Sequence, residues 1–459
     1  MNLAARLQAL QPADIGVPGP SSADMARAFR SVRRDPLTFL TEVTERFGDT
    51  VAFPVPGAPA VLLNDPAHVR QVLQTSARNW SKQTVQYAAL ARVTGPGLLA
   101  CAEPNWIKHR RLAAPVFHRR RLEAVGEQVR DAARTVLADH TPAAHSGSVV
   151  DVSPLMHRIG LDAVGRALFS SDLTASAERL LGASSGAAEF IVRLGRSVLP
   201  TAQWAPTRTN LRLRSVRREL DAVATDIIAA RRRTAAPSTP DFHGDDLLGL
   251  LIDSELTDVE IRDELITMVI AGHETVAAAL SWTLMLLAEH TEIQDRMRAE
   301  LGALGSPVSM LTPREQLPIT RAAIDEALRL YPPAWAISRR SLAADRVGDV
   351  DLPAGTLAII SPWLLHRRGE SWPEPTQFRP ERFIQGVPTS GYIPFGQGPR
   401  LCIGRDFALG EMLVVIGELL SSYRLDTPAG WTRPEPETLV AVHPRGGMPL
   451  RLTPADHHA

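Results

Sequence analysis

Apolar residues recur every three to four positions through most of this chain, a period that predicts a largely helical protein. The pattern is clearest in RLEAVGEQVRDAARTVLADH (121–140) and in LRSVRRELDAVATDIIAARRR (213–233). A longer apolar helix is expected from about Thr257 to Glu289, and DFALGEMLVVIGELL (406–420) carries the same period near the end. Strand signals are few. VAFPVPG followed by PAVLLND predicts a hairpin, Val347–Ile360 a second, and LVAVHPRGGMPLRL (439–452) a third. Polar, proline-bearing breaks fall at His140–Ser148 and Thr234–Asp246, the second reading as a surface loop between long helices. The expected fold is therefore mainly α with small antiparallel β-sheets (α+β). It is read as one domain over residues 1–459, with a β-richer edge at about 45–75.

Composition narrows the class. Hydrophobic residues make up 44% and charged residues 22%, enough to bury a large core. Lysine plus arginine balances aspartate plus glutamate at 50 each, so no overall field argues for nucleic acid. Two cysteines, Cys101 and Cys402, make no disulfide framework and no zinc spacing. The opening stretch MNLAARLQALQPADIGVPGP has one short apolar patch broken by prolines, unlike a signal peptide or a membrane anchor. No later segment reaches an anchor's length without charges. A reduced, cytoplasmic, soluble protein is expected.

Candidate chemistry centres on FGQGPRLCIG (395–404). Cys402 lies just before the first turn of a predicted helix, where the helix dipole and backbone N–H groups lower a thiol pKa. Gly396, Gly398 and Gly404 permit sharp turns or a close approach to something flat. Arg400 supplies a cation suited to a carboxylate. By itself the cysteine could be packed filler, a nucleophile or a metal ligand. Further upstream, Glu326 and Arg329 are i, i+3 neighbours on one helix face. Gly272, His273, Glu274 and Thr275 interrupt the long apolar helix, and a threonine there can hydrogen-bond to the carbonyl of Ala271. Trp106 and Arg110, at i, i+4, suit an arginine stem laid on an aromatic ring.

These motifs resemble those of the cytochrome P450 family, in the family's order, from about residue 50 to the end. Phe395-x-x-Gly398-x-Arg400-x-Cys402-x-Gly404 matches its haem-binding signature in full. The resemblance implies haem b between the long central helix and the helix after the cysteine loop. Cys402 would be the axial thiolate and sole metal ligand, Arg400 a propionate contact, and Phe395 a neighbour of the sulfur. It further implies that Trp106, Arg110 and Arg339 hold propionates, while Arg340 beside Arg339 stays open. Glu326, Arg329 and Arg382 (in PERF) would form the structural triad, and His366 is given a structural role. Ala271-Gly272-x-Glu274-Thr275 matches the oxygen-activation motif. Ala271 and Gly272 would leave room for dioxygen, Glu274 and Thr275 would manage protons, and His273 is read as a spacer facing away from the iron. Cys101 is read as a packed residue.

Carried over in the same way, the family's variable pocket segments fall on Val85, Leu98, Leu99 and Ile270. They fall also on Ala334, Trp335 and Ile337, and on Val440 and Val442 in the last hairpin. Nearly all are apolar, which implies a hydrophobic substrate of terpenoid, fatty-acid or polyketide-like type. The implied activity is monooxygenation, with hydroxylation or epoxidation as products and secondary metabolism as the setting. The alternative is a haem–thiolate enzyme of cyclisation, coupling or rearrangement; a helical binding protein whose glycine loop holds an anion is the reading from another class. Electrons would come from a separate ferredoxin or flavodoxin with its reductase. The basic runs Lys108–Arg111 and His118–Arg121 are the candidate docking face.

Overall fold

The computed structural model describes residues 15–55, 59–139, 147–171, 173, 176–195, 205–233, 244–388 and 390–455. Most of both predicted breaks, and the first part of the N-terminal stretch, lie outside the described residues. In chain order the elements used below are α1 (Ser22–Arg34), α2 (Pro36–Phe47), β1 (Thr50–Phe53), β2 (Ala60–Leu63), β3 (Trp80–Ser81) and α3 (Val85–Thr94). Next come α4 (Asn105–Ala113), α5 (Arg119–Ala138), β4 (Val149–Asp151), α6 (Val152–Phe169), α7 (Ala177–Gly195), α8 (Arg208–Arg233), α9 (Asp258–Glu289), α10 (Thr291–Ala303) and α11 (Pro318–Leu330). The chain closes through β5 (Ile337–Ser341), β6 (Asp345–Val347), β7 (Val350–Leu352), β8 (Leu357–Ile360), α12 (Arg405–Ser422), β9 (Tyr423–Asp426), β10 (Pro436–Thr438), β11 (Val442–Pro444) and β12 (Pro449–Pro454). Helix dominates, as the period predicts.

Two compact units emerge. The first holds residues 1–88, 334–377 and 387–402. Its sheet runs β1-β2-β8-β5-β3. β1 and β2 form the predicted hairpin, with Val51 opposite Leu62. The Val347–Ile360 segment departs from its predicted hairpin: β6 pairs with β7, while β8 leaves to lie parallel to β2 and antiparallel to β5. The sheet is therefore mixed. The reason lies in the runs AVLL and LAII, which are too apolar for an exposed ribbon; β2 is buried along its whole length. One face packs Val61, Leu63, Trp80, Ile337 and Ile360, and the other packs Phe39, Leu40, Val51, Phe53 and Leu62 under α1 and α2.

The second unit holds residues 89–333, 378–386 and 403–459. Its axis is α9. Thr257 caps it in a capping box, its hydroxyl taking the Glu260 N–H while the Glu260 carboxylate takes the Thr257 N–H. α6 lies along α9, and α5 packs on α6 and on α12. Trp282 stacks on Tyr331 with ring centroids 4.0 Å apart. The last predicted hairpin is again split. β11 pairs with β10, and β12 pairs with β4 and β9 instead. Gly446 and Gly447 (φ +80° and +95°) carry the chain between the two sheets, and a Cβ on Gly447 would fall 2.2 Å from the Asp151 carboxylate.

Candidate active site

The cysteine loop belongs to the first unit. Gly396 and Gly398 take φ of +74° and +73°, and a Cβ on Gly398 would lie 1.9 Å from the carbonyl oxygen of Leu73. Only glycine fits there. Gly404, by contrast, has φ −89° and ordinary space, so backbone strain does not demand it. The Cys402 N–H donates to the Phe395 carbonyl at 3.0 Å, folding the loop so that the Cys402 side chain is exposed while Cys101 is buried. On β5, Arg339 is 5% exposed, and its guanidinium donates to the Ser338 carbonyl and the Tyr87 hydroxyl. Among the described residues no carboxylate forms an ion pair with it. The ammonium of Lys82, also buried, sits 4.5 Å from the centre of the Tyr87 ring. Burial pushes the Tyr87 phenol up, but Lys82, Arg339 and Arg400 together hold it below its ordinary value. A buried guanidinium lacking a carboxylate is costly unless an anion arrives. A thiol presented outward with cations able to take carboxylates is a donor set that fits haem iron and propionates. Lys82 and Tyr87 carried no motif and escaped the sequence reading.

In the second unit, every residue of α9 from Asp263 to Ala288 is buried except Ala271, Gly272 and Thr275. The Thr275 hydroxyl donates to the Ala271 carbonyl at 2.8 Å, the bond expected from the sequence. A Cβ on Gly272 would meet Val164 of α6 at 2.7 Å. The glycine thus serves the approach of two helices; the expectation that it leaves room for dioxygen finds no such space on that side. Glu274 is 4% exposed and meets His443 Nε2 at 3.1 Å. Burial would raise its pKa, yet the His443 hydrogen bond and the neighbouring His273 and His157 overcome that and bring it to about 2. His443 is placed by its strand. Val442 N–H donates to the Pro333 carbonyl at 3.1 Å and Trp282 Nε1–H donates to the Val442 carbonyl at 2.8 Å, pinning β11 to α9.

α4 carries Trp106, buried, with the Arg110 guanidinium 5.6 Å from its ring centre. Between them in sequence sits His109, buried and 2.5 Å from Glu264, whose same oxygen accepts the Leu98 N–H at 2.7 Å. This contact ties α4 and the loop before it to α9. The signal for it was faint: a polar residue on each of two apolar helix faces.

Glu326 and Arg329 of α11 are fully buried and bonded twice, at 2.7 and 2.8 Å. Glu326 Oε1 also accepts the Arg379 N–H at 2.9 Å and Arg382 Nε at 3.3 Å. The three expected partners therefore meet, and a backbone N–H joins them. His366 accepts the Ile393 N–H at 2.9 Å within the first unit.

Among the expected pocket residues, Leu98 and Ile270 are buried, Leu99, Ala334 and Val440 are half-buried, and Val85 is 58% exposed. Ile337 and Trp335 belong to the apolar clusters on the two faces of the first unit's sheet, and Val442 is fully buried with both backbone groups bonded. These three side chains are tied up in cores, because the apolar character that marked them as pocket residues is equally that of strand interiors.

A haem–thiolate oxygenase is the class these features define. The family model described as Cytochrome P450 matches residues 25–450, and the chain belongs to the cytochrome P450 family. It is a P450 monooxygenase, and its cofactor is haem b held through a cysteine thiolate, as throughout the family. Pentalenene oxygenase of Streptomyces avermitilis is 33% identical over 94% of this chain and 95% of its own length. Echinocystic acid 23-monooxygenase of Saponaria officinalis is 28% identical over 90% and 83%. The CYP175A1 structure from Thermus thermophilus superposes with a TM-score of 0.78 at 30% identity, covering 95% of this chain and 100% of that one. Monooxygenases of this family take dioxygen, a redox partner and hydrophobic substrates. By length and composition alone α9 could cross a membrane, but it carries Glu274 at its middle and 83% of its apolar window is buried in the fold, as in a core helix.

Proposed function

We propose that this chain hydroxylates or epoxidises a terpenoid-like hydrophobic molecule, with Cys402 as the haem ligand and Glu274–Thr275 as its proton-handling pair. The observation that carries the reading is the half-buried patch on α9: Ala271, Gly272 and Thr275 within an otherwise buried run from Asp263 to Ala288, backed by an ionised Glu274. The names of the pentalenene and echinocystic acid oxygenases support the substrate class.

Bound haem supplies the reductive activation of dioxygen. The protein's part is binding, orientation and proton supply. Cys402, on a loop whose glycines fix its turn, would hold the iron, and Arg400, Arg339, Trp106 and Arg110 would take the propionates. Lys82, buried beside Arg339, joins that set. The Thr275 hydroxyl donates to the Ala271 carbonyl, which leaves its oxygen able to accept a hydrogen bond, while the ionised Glu274 would take up a proton from water and hand it on. Glu326, Arg329 and Arg382 stabilise the fold and stay outside the chemistry. Leu98, Leu99, Ile270, Ala334 and Val440 would face an apolar ligand. A ferredoxin or flavodoxin with its reductase supplies electrons at a basic docking face, and the protein works in the cytoplasm.

Two spectroscopic measurements test this. The ferric protein is titrated with sesquiterpenes, triterpenoids, fatty acids and aromatic metabolites while the Soret band is followed. A shift to higher energy with terpenoids alone supports the assignment, and a shift confined to another class overturns the substrate half. The reduced, carbonyl-bound spectrum of Cys402→Ser is recorded alongside wild type. Loss of the thiolate signature is expected; its survival would remove Cys402 as the ligand.

A further inference from the structure

Three imidazoles surround one carboxylate behind the α9 patch. His443 Nε2 lies 3.1 Å from Glu274 Oε2, and His273 Nε2 lies 3.7 Å from Glu274 Oε1. His157 of α6 stacks on His443 with ring centroids 5.3 Å apart and meets His273 edge-on at 5.8 Å. One ligand-capable atom from each of His157, Glu274 and His443 falls within 4.8 Å of the others. The three come from α6, α9 and β11, so the convergence is tertiary and left no spacing in the sequence.

The hydrogen bonds leave one imidazole nitrogen of this cluster facing a carboxylate oxygen with no hydrogen between them. His273 Nδ1 lies 2.7 Å from the Val269 carbonyl, an oxygen that can only accept, so Nδ1 carries the ring hydrogen. The Nε2 of a neutral ring is then a bare lone pair. It is buried, has no hydrogen-bond partner among the described residues, and faces a Glu274 carboxylate oxygen 3.7 Å away. Two acceptors facing each other out of water call for a cation between them.

We propose that His157, Glu274 and His443 form a site for a divalent transition metal of the zinc type, with His273 as the nearest donor for a fourth position. Two imidazoles and one carboxylate are a borderline-soft N/O set that zinc takes readily. Tetrahedral ligands about 2.0–2.1 Å from zinc stand roughly 3.3 Å apart, so the His443–Glu274 pair already has ligand spacing and His157 must close by only about 1.5 Å. The ionisation states suit binding near neutrality. Burial holds His157 down at about 4 and lowers His273 as well, leaving both rings neutral, while Glu274 is ionised. A metal there would occupy the carboxylate that the preceding reading assigns to proton supply, and would slow turnover without touching the haem. That consequence rests on the proposed function. The site itself does not.

The test uses the haem-loaded enzyme and zinc sulfate. After equilibrium dialysis with a competing chelator, zinc and iron are measured by elemental analysis for wild type, His157→Ala, His443→Ala and Glu274→Gln, with His118→Ala as an exposed-histidine control. One zinc per haem is expected, with affinity reduced about 100-fold or more in each ligand variant and unchanged in the control. No zinc at stoichiometry, or zinc insensitive to His157 and His443, overturns the proposal. Should a variant fail to retain haem, the zinc X-ray absorption edge of wild type decides: a nitrogen and oxygen shell with imidazole scattering supports the site, and a sulfur shell places zinc on cysteine and overturns it. Zinc bound at the cluster with turnover unchanged would keep the site and remove the proton role of Glu274.

Discussion

Glu411 sits in the middle of α12, fully buried, and neither of its carboxyl oxygens has a hydrogen-bond partner among the described residues. Burial alone pushes this carboxyl well above its ordinary value of 4.5. The folded chain therefore keeps a proton that the unfolded chain releases above about 4.5, and stability contributed by the neutral form declines as pH rises past that point. Glu411→Gln keeps the shape and removes the titration. Its stability advantage over wild type in urea unfolding should be small near pH 5 and grow steadily toward pH 8. Parallel curves for the two proteins would mean that Glu411 is ionised in the fold. The residue scale is also where the sequence was most readable. Thr275 bonds back to Ala271 and Arg329 pairs with Glu326 as their i, i+4 and i, i+3 spacings implied, since those motifs encode a local geometry. Glu264, Lys82 and His157 act across long sequence separations and had no motif to announce them.

At the scale of elements, the α6–α9 crossing depends on two glycines. A Cβ on Gly160 would stand 3.3 Å from the His273 backbone, and one on Gly272 would stand 2.7 Å from Val164. The second contact is too short for any real side chain. Gly272→Ala should cost about 1–3 kcal/mol through overpacking, read as a lower unfolding midpoint. Val164→Ala in the same chain should return much of the loss, because the two atoms in conflict belong to neighbours. Additive losses would show that the strain lies elsewhere. Helix extents were close to those the hydrophobic period predicts. Strand partners were not. β8 and β12 each left the neighbour next to them in sequence, because partner choice is decided by which sheet buries the strand and by glycine turns at Gly446 and Gly447.

For the whole molecule the formal charge is zero, so attraction to a redox partner has to come from a local patch. Lys108, Arg111, Arg119 and Arg120 are all exposed, while Arg121 is already paired with Asp245 at 2.9 Å. Charge reversal at Arg119 and Arg120 should slow reduction by an acidic ferredoxin several-fold at low salt, less at high salt, and leave the substrate-induced Soret shift intact. Unchanged reduction kinetics would dismiss this face.

β11 has an implication for anyone redesigning the enzyme. The strand that follows Val440 also carries His443, and the Trp282 indole locks it to the helix bearing Glu274. A mutant library aimed at this strand to admit a bulkier substrate will disturb the partner of Glu274, the carboxylate proposed above to handle protons, in the same stroke. Variants selected there for new selectivity should then leak reducing equivalents to peroxide, and compensating changes should surface at Trp282 or His157 before they surface in the pocket.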